Sequence, residues 1–227
     1  MSLPRVFLAV AAIAIVGLLA IGVADEFRQA SIELGPYPED LYESFVQYAS
    51  EVEESYLTYG HWHDFLVAST FAALLVAFPF VRGTDRAKHL LVAGAAIAVV
   101  GDAIDLSQMG AIDWARWAAS ADMQGSFLAA DTFRFSINQT STFVWIAGLF
   151  LIAVGLLILA RDAQSRILAM ASVAFATVLA ATGLLDIFGP GWAFDLAMWM
   201  LAVVALPWIV VAWSNVDDSR PTESVLG

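Results

Sequence analysis

The sequence predicts an all-α, polytopic membrane protein: a bundle of six transmembrane helices beneath an acidic, partly helical extracytoplasmic cap. Three observations carry this. Of 227 residues, 60% are hydrophobic and only 14% charged, against about 25% charged in an ordinary soluble domain. The apolar residues fall into six runs near the roughly 20 residues that a helix needs to cross the hydrocarbon core. The basic residues then divide between the loops as membrane topology requires.

The six segments span approximately residues 6–24, 65–81, 90–106, 135–160, 167–188 and 192–213. The second and third are short and borrow flanking residues. Pro79 and Pro207 predict kinks near the ends of the second and sixth. Small residues at Gly94, Ala98 and Gly101, and at Ala174, Ala181 and Gly183, predict close helix contacts. With a cytoplasmic N-terminus, Arg5, Arg82, Arg86, Lys88, Arg161, Arg166 and Arg220 lie inside, and only Arg28, Arg116 and Arg134 outside. Cytoplasmic loops carry the excess of Lys and Arg, so both termini are expected in the cytoplasm of a prokaryotic plasma-membrane protein. Residues 1–214 read as one membrane domain and 215–227 as a polar cytoplasmic tail. The first segment has a rival reading: Arg5, the apolar run and Gly22-Val23-Ala24 resemble a secretory signal, although the run exceeds the usual core of about 7–15 residues.

Two outer segments are too long for turns. Residues 25–60 hold nine acidic residues and one arginine. Within them, Pro38-Glu39-Asp40 reads as a helix start. Leu41, Phe45, Tyr48, Val52, Tyr56 and Tyr59 follow at helical spacing, which predicts an amphipathic segment over 38–60. Residues 107–132 place Trp114 and Trp117 beside Arg116, as in a short helix at the membrane interface. No internal repeat stands out.

The net charge of −12 does not suit nucleic acid, which requires a basic face. It fits an acidic surface kept soluble in high salt, or an outer face that gathers cations. Cysteine is absent, which removes disulfides and thiolate chemistry. No haem, retinal or nucleotide signature is present: His89 lies on the opposite side from His61 and His63, Lys88 sits in an inner loop, and phosphate-binding glycine loops are missing.

Ionisable residues within membrane segments are costly, so each is a functional hypothesis. Here they gather toward the outer third. Asp102 and Asp105 are three apart and share a helix face. Two carboxylates so placed in a poor dielectric need a proton, a cation or an arginine, and Arg134 is the expected partner. Asn138, Ser141 and Trp145 continue the Arg134 face at helical spacing. Asp186 and Asp195 flank the turn Gly189-Pro190-Gly191, and Asp195 also suits the first turn of its helix. Asp102, Asp105, Arg134, Asn138, Asp186 and Asp195 are therefore the candidate ligand- or ion-binding residues. The structural alternative is a buried ion pair fixing helix packing.

His61-Trp62-His63-Asp64 offers donors suited to a transition metal. On a helix, however, the two histidine rings point about 200° apart. A plain membrane boundary explains the motif equally well.

Three functional readings follow. The first is a small transporter- or sensor-like bundle whose outward-facing polar pocket takes a cation, a proton or a small polar ligand. The second is an accessory membrane subunit without chemistry of its own. The third is an intramembrane metal-dependent enzyme using His61, His63, Asp64 and the membrane aspartates. The expected partners are the lipid bilayer, and partner membrane subunits or a second copy of the chain.

Overall fold

The computed structural model describes residues 1–29, 43 and 61–217, with the side chains of residues 25–29, 61, 109, 191, 192, 194 and 195 left out. Apart from residue 43, the amphipathic segment expected over 38–60 falls outside the described residues, as do the acidic cap beyond Gln29 and the tail beyond residue 217.

The described chain is helical. Its elements are α1 (Leu3–Gln29), α2 (His61–Ala77), a 3-10 turn (Phe78–Phe80), α3 (Asp85–Ser107), α4 (Met109–Ser120), α5 (Gln124–Asp162), α6 (Arg166–Phe188) and α7 (Gly191–Ser214). Among the described residues, six helices are long and apolar enough to cross a membrane. A helix that is apolar all round suits burial on every side or a lipid surround. Ile13, Phe143, Met170 and Val210 point away from the core and remain exposed.

The helix ends differ from the hydropathy reading in instructive places. Segment 135–160 is the inner part of a 39-residue helix that begins at Gln124. At 1.5 Å per residue this is roughly 58 Å. Asp131 and Arg134 end the apolar run but not the backbone ladder, because they pair with each other one turn apart. Helix α2 begins at His61 and stops at Ala77, short of Val81. Pro79 supplies no N–H, and the chain tightens into the 3-10 turn that contains it. Pro207 lies within α7, which continues to Ser214.

The six long helices form a closed ring in chain order: α1 packs on α2, α2 on α3, α3 on α5, α5 on α6, α6 on α7, and α7 back on α1. Helix α4 stands outside the ring against α5, burying Ala115 and Ala118 on Phe127 and Ala130. Trp114 and Trp117 stay exposed. The turn between α4 and α5 closes with Asp122 N–H on Ala119 O and Met123 N–H on Ala118 O. Asp122 takes a left-handed conformation, φ 55°, which short polar residues tolerate at a helix C-terminus.

The seam between α3 and α5 is the closest. A Cβ on Gly94 would lie 2.7 Å from Ile152 N and 2.8 Å from Gly148 O. A Cβ on Gly148 would lie 2.7 Å from Ala98 N. Glycines therefore allow backbone-to-backbone approach. Further along, a Cβ on Gly101 would meet the Trp145 backbone at 2.9 Å, so Asp102 and Asp105 are carried against the polar stretch of α5.

The two ends of the ring differ. At the proximal end, which holds the N-terminus, the interior is solid. Trp208 is fully buried, with Phe78 and Phe175 centroids at 5.7 and 5.5 Å, and its indole N–H donates to Ser172 Oγ at 3.0 Å. The same end is laced by Arg82 N–H on Asn215 O at 3.0 Å and Asp217 N–H on Phe80 O at 2.8 Å. The first residues of the expected tail are thus held in a two-stranded bridge, Val81 opposite Val216. At the distal end the ring interior is hollow.

Candidate functional site

The distal hollow has two adjacent compartments. The polar one, about 290 Å³, takes His63 and Asp64 from α2, Asp102 and Asp105 from α3, Asn138, Ser141, Thr142 and Trp145 from α5, Asp186 from α6 and Met198 from α7. Five helices of the ring therefore meet there. The other compartment, about 330 Å³, is walled mainly by apolar residues of α1, α2, α6 and α7. His63, Val67, Trp145 and Met198 border both.

The hydrogen bonding of the two central aspartates is unequal. Asp105 Oδ1 accepts from Gln108 Nε2 at 2.8 Å and lies 3.0 Å from the Ser141 hydroxyl, whose single proton it shares with Asn138 O at 2.8 Å. Asp102 is only 8% exposed, and its Oδ2 has no hydrogen-bond partner among the described residues. The indole N–H of Trp145 is likewise buried without an acceptor. Buried polar atoms are almost always paired, and both of these belong to residues that line the polar compartment. The His63 Nδ1 lies 3.2 Å from Asp64 Oδ1, which orients the imidazole at the mouth.

The electrostatics are one-sided. Asp64, Asp102, Asp105 and Asp186 line the polar compartment, and no Lys or Arg does so among the described residues. The expected pairing of Arg134 with the Asp102/Asp105 couple is not what the chain adopts. Arg134 turns along its own helix to Asp131, with NH2 at 2.7 Å and Nε at 3.0 Å. A local partner at i−3 costs little chain entropy to engage, whereas Asp102 belongs to the neighbouring helix.

Of the residues singled out in the sequence, Asp102, Asp105, Asn138, Asp186, His63 and Asp64 come together at the compartment. Arg134 stands apart. The side chains of Asp195 and His61 lie outside the described set. Among the described residues, no group of three His, Cys, Asp or Glu side chains is arranged to hold a metal ion. Hydropathy and spacing gave no sign of Met198 or of the apolar compartment. Its walls are ordinary Leu, Ala and Phe, recognisable only once α1 is seen beside α7.

Gly22 has a role that its place in a signal-like tripeptide concealed. It lies inside continuous helix, and a Cβ there would touch the Trp199 ring at 3.0 Å. The glycine seats that ring where α7 closes against α1, at the wall of the apolar compartment. No protein-family model, curated protein or solved structure matches the chain.

Proposed function

We propose that this chain is a multi-pass protein of a prokaryotic plasma membrane, with both termini cytoplasmic, whose outward-facing polar pocket binds a cation. Its bundle is sensor-like or transporter-like. One observation carries the reading: Asp102, with a buried carboxylate oxygen that has no hydrogen-bond partner among the described residues, lines a compartment with three further aspartates and, among the described residues, no Lys or Arg. Leaving such a group unsatisfied costs about 1–3 kcal/mol, more when charged. A bound cation removes that cost. The nine acidic residues of positions 25–60 sit, in this topology, on the pocket side and raise the local cation concentration. The aromatic plug around Trp208 at the opposite end favours a receptor over an open conduit.

The topology is testable because the chain has no cysteine. Single substitutions Met123→Cys and Ala163→Cys fall in turns at opposite ends of the ring. In intact cells, a membrane-impermeant maleimide is expected to label Met123→Cys at least tenfold faster than Ala163→Cys. The reverse pattern would invert the topology and turn the pocket to the cytoplasm.

The pocket is tested with methylammonium, sodium and magnesium chlorides on protein in lipid nanodiscs, read by calorimetry and by thermal midpoint. At least one of these cations is expected to bind saturably. Stabilisation should approach about 2.7 kcal/mol at a hundredfold excess over the dissociation constant. Asp102→Asn should weaken binding at least tenfold, and Arg134→Gln should leave it within twofold. Protons compete for the same carboxylates, so affinity should fall as the pH is lowered. Binding indifferent to Asp102, or none at all, removes the reading and leaves an accessory subunit as the better description.

A further inference from the structure

We propose that the occupant of this site is a protonated organic amine, with its ammonium group among the aspartates and its apolar body in the adjoining compartment. The inference rests on the cation-binding reading above and adds the class of ligand.

The first argument is adjacency. The polar and apolar compartments share His63, Val67, Trp145 and Met198 as a common border. A ligand reaching from one to the other is therefore half charged and half apolar.

The second argument is the hydrogen-bond demand of each half. Asp102 Oδ2 is a buried acceptor without a hydrogen-bond partner among the described residues, and a turn of the carboxylate toward the compartment lets a single N–H of an ammonium satisfy it. Asp105 Oδ1 is engaged by Gln108 Nε2 and lies within reach of a Ser141 hydroxyl that is also 2.8 Å from Asn138 O, so that oxygen is a poor ligand for a bare ion. Calcium and magnesium need about six or more oxygens, supplied by protein or retained water. No three-ligand group exists among the described residues.

The third argument is the apolar half itself. The Thr70 hydroxyl at its wall donates to Leu66 O at 2.8 Å within its own helix. Leu18, Phe71, Leu179 and Ala202 present only carbon. Water in such a space finds few of the two to four polar partners it needs. An apolar body of several carbons gains instead, by roughly three- to fourfold in affinity for each methylene buried. Trp145 stands at the border, where an aromatic face adds attraction for an ammonium.

The test uses the full chain in nanodiscs and calorimetry, with empty nanodiscs as the blank. The probes are methylammonium, butylammonium, 2-phenylethylammonium and neutral 2-phenylethanol. Affinity is expected to rise along the ammonium series, with 2-phenylethylammonium at least 30-fold tighter than methylammonium. Asp102→Asn should weaken every ammonium at least tenfold. Ala202→Trp, which fills the apolar compartment, should bring 2-phenylethylammonium to within about threefold of methylammonium while leaving methylammonium unchanged. Leu18→Trp serves the same purpose should that variant fail to fold.

Methylammonium bound through Asp102 with no gain from the phenylethyl group would overturn this inference and leave the cation reading intact. Binding of 2-phenylethanol as tight as that of its ammonium analogue, and indifferent to Asp102, would overturn it as well. Absence of binding by every ammonium probe and by simple cations would overturn both.

Discussion

Replacing Gly148 by valine is expected to cost about 3 kcal/mol or more, at or beyond the upper end of typical overpacking penalties. The reason is what the new atoms meet. A Cβ at Gly148 would lie 2.7 Å from Ala98 N, 2.8 Å from Gly94 O and 3.0 Å from Ala98 Cα. These are backbone atoms of α3 and cannot swing away as a side-chain tip can. Gly94 sits reciprocally against Gly148 O and Ile152 N, so relief requires the two helices to part along their length. Parting them would also draw Gly101 from Trp145 and loosen the polar pocket. For a chain of this size the thermal midpoint should fall by roughly 6–12 °C. Two glycines calibrate the result. Gly125→Ala has nothing within 4 Å, and Gly183→Ala meets only side-chain carbons, the nearest at 3.3 Å. The first should be neutral or mildly stabilising and the second should fall in between. Equal midpoints for all three variants would show that the α3–α5 seam is not packed as described.

Trp208→Ala is expected to cost about 3–5 kcal/mol, the usual range for deleting a buried large aromatic. Trp208 has no exposed surface, packs against Phe78 and Phe175, and donates its indole N–H to a Ser172 hydroxyl that is itself fully buried. The deletion therefore opens a void and strands a polar atom at once. The two effects separate in a cycle. Trp208→Phe keeps most of the ring but leaves Ser172 without its donor, and Ser172→Ala leaves the indole without its acceptor. Each single change should cost about 1–3 kcal/mol through the unsatisfied partner. The double variant should be more stable than the sum of the two singles predicts. Additive costs, measured by reversible unfolding in detergent, would mean that the hydrogen bond contributes nothing. Phe175 also borders the apolar compartment, so Trp208→Ala should additionally weaken retention of any apolar body held there.

How much of this could be read beforehand depended on which physical signal was local. The long helices were legible because an apolar run of about 20 residues has few other uses. Their ends were less so. Asp131 and Arg134 look like a boundary in hydropathy, but their mutual pairing leaves the helix unbroken from Gln124. Pro79 marked the end of α2 more truly than the apolar run, because a missing N–H acts on the backbone and not on polarity. Asp102, Asp105, Asn138 and Asp186 were legible as a group because polar side chains in apolar helices need a reason to be there. The partner of Arg134 was misjudged because a contact across helices was weighed above one a single turn away. Nothing local announced that Gly22 would face Trp199, since neighbour order around a ring is a property of the whole chain.

That ring order has a consequence for how the molecule is made. Apart from α4, which stands aside on α5, every long helix from α2 onward packs against the long helix synthesised just before it. The seams can therefore form one after another as the chain emerges. Only α1 must wait, because its second neighbour is α7. Until Trp199 reaches the notch at Gly22, the ring is an open arc. Until Asp217 pairs with Phe80, its two ends are not laced together. A nascent chain halted after α6 already carries His63, Asp64, Asp102, Asp105 and Asp186, yet it lacks Met198 and the α7 wall. The charged half of the pocket is thus built early, and the apolar chamber is closed only when α7 arrives.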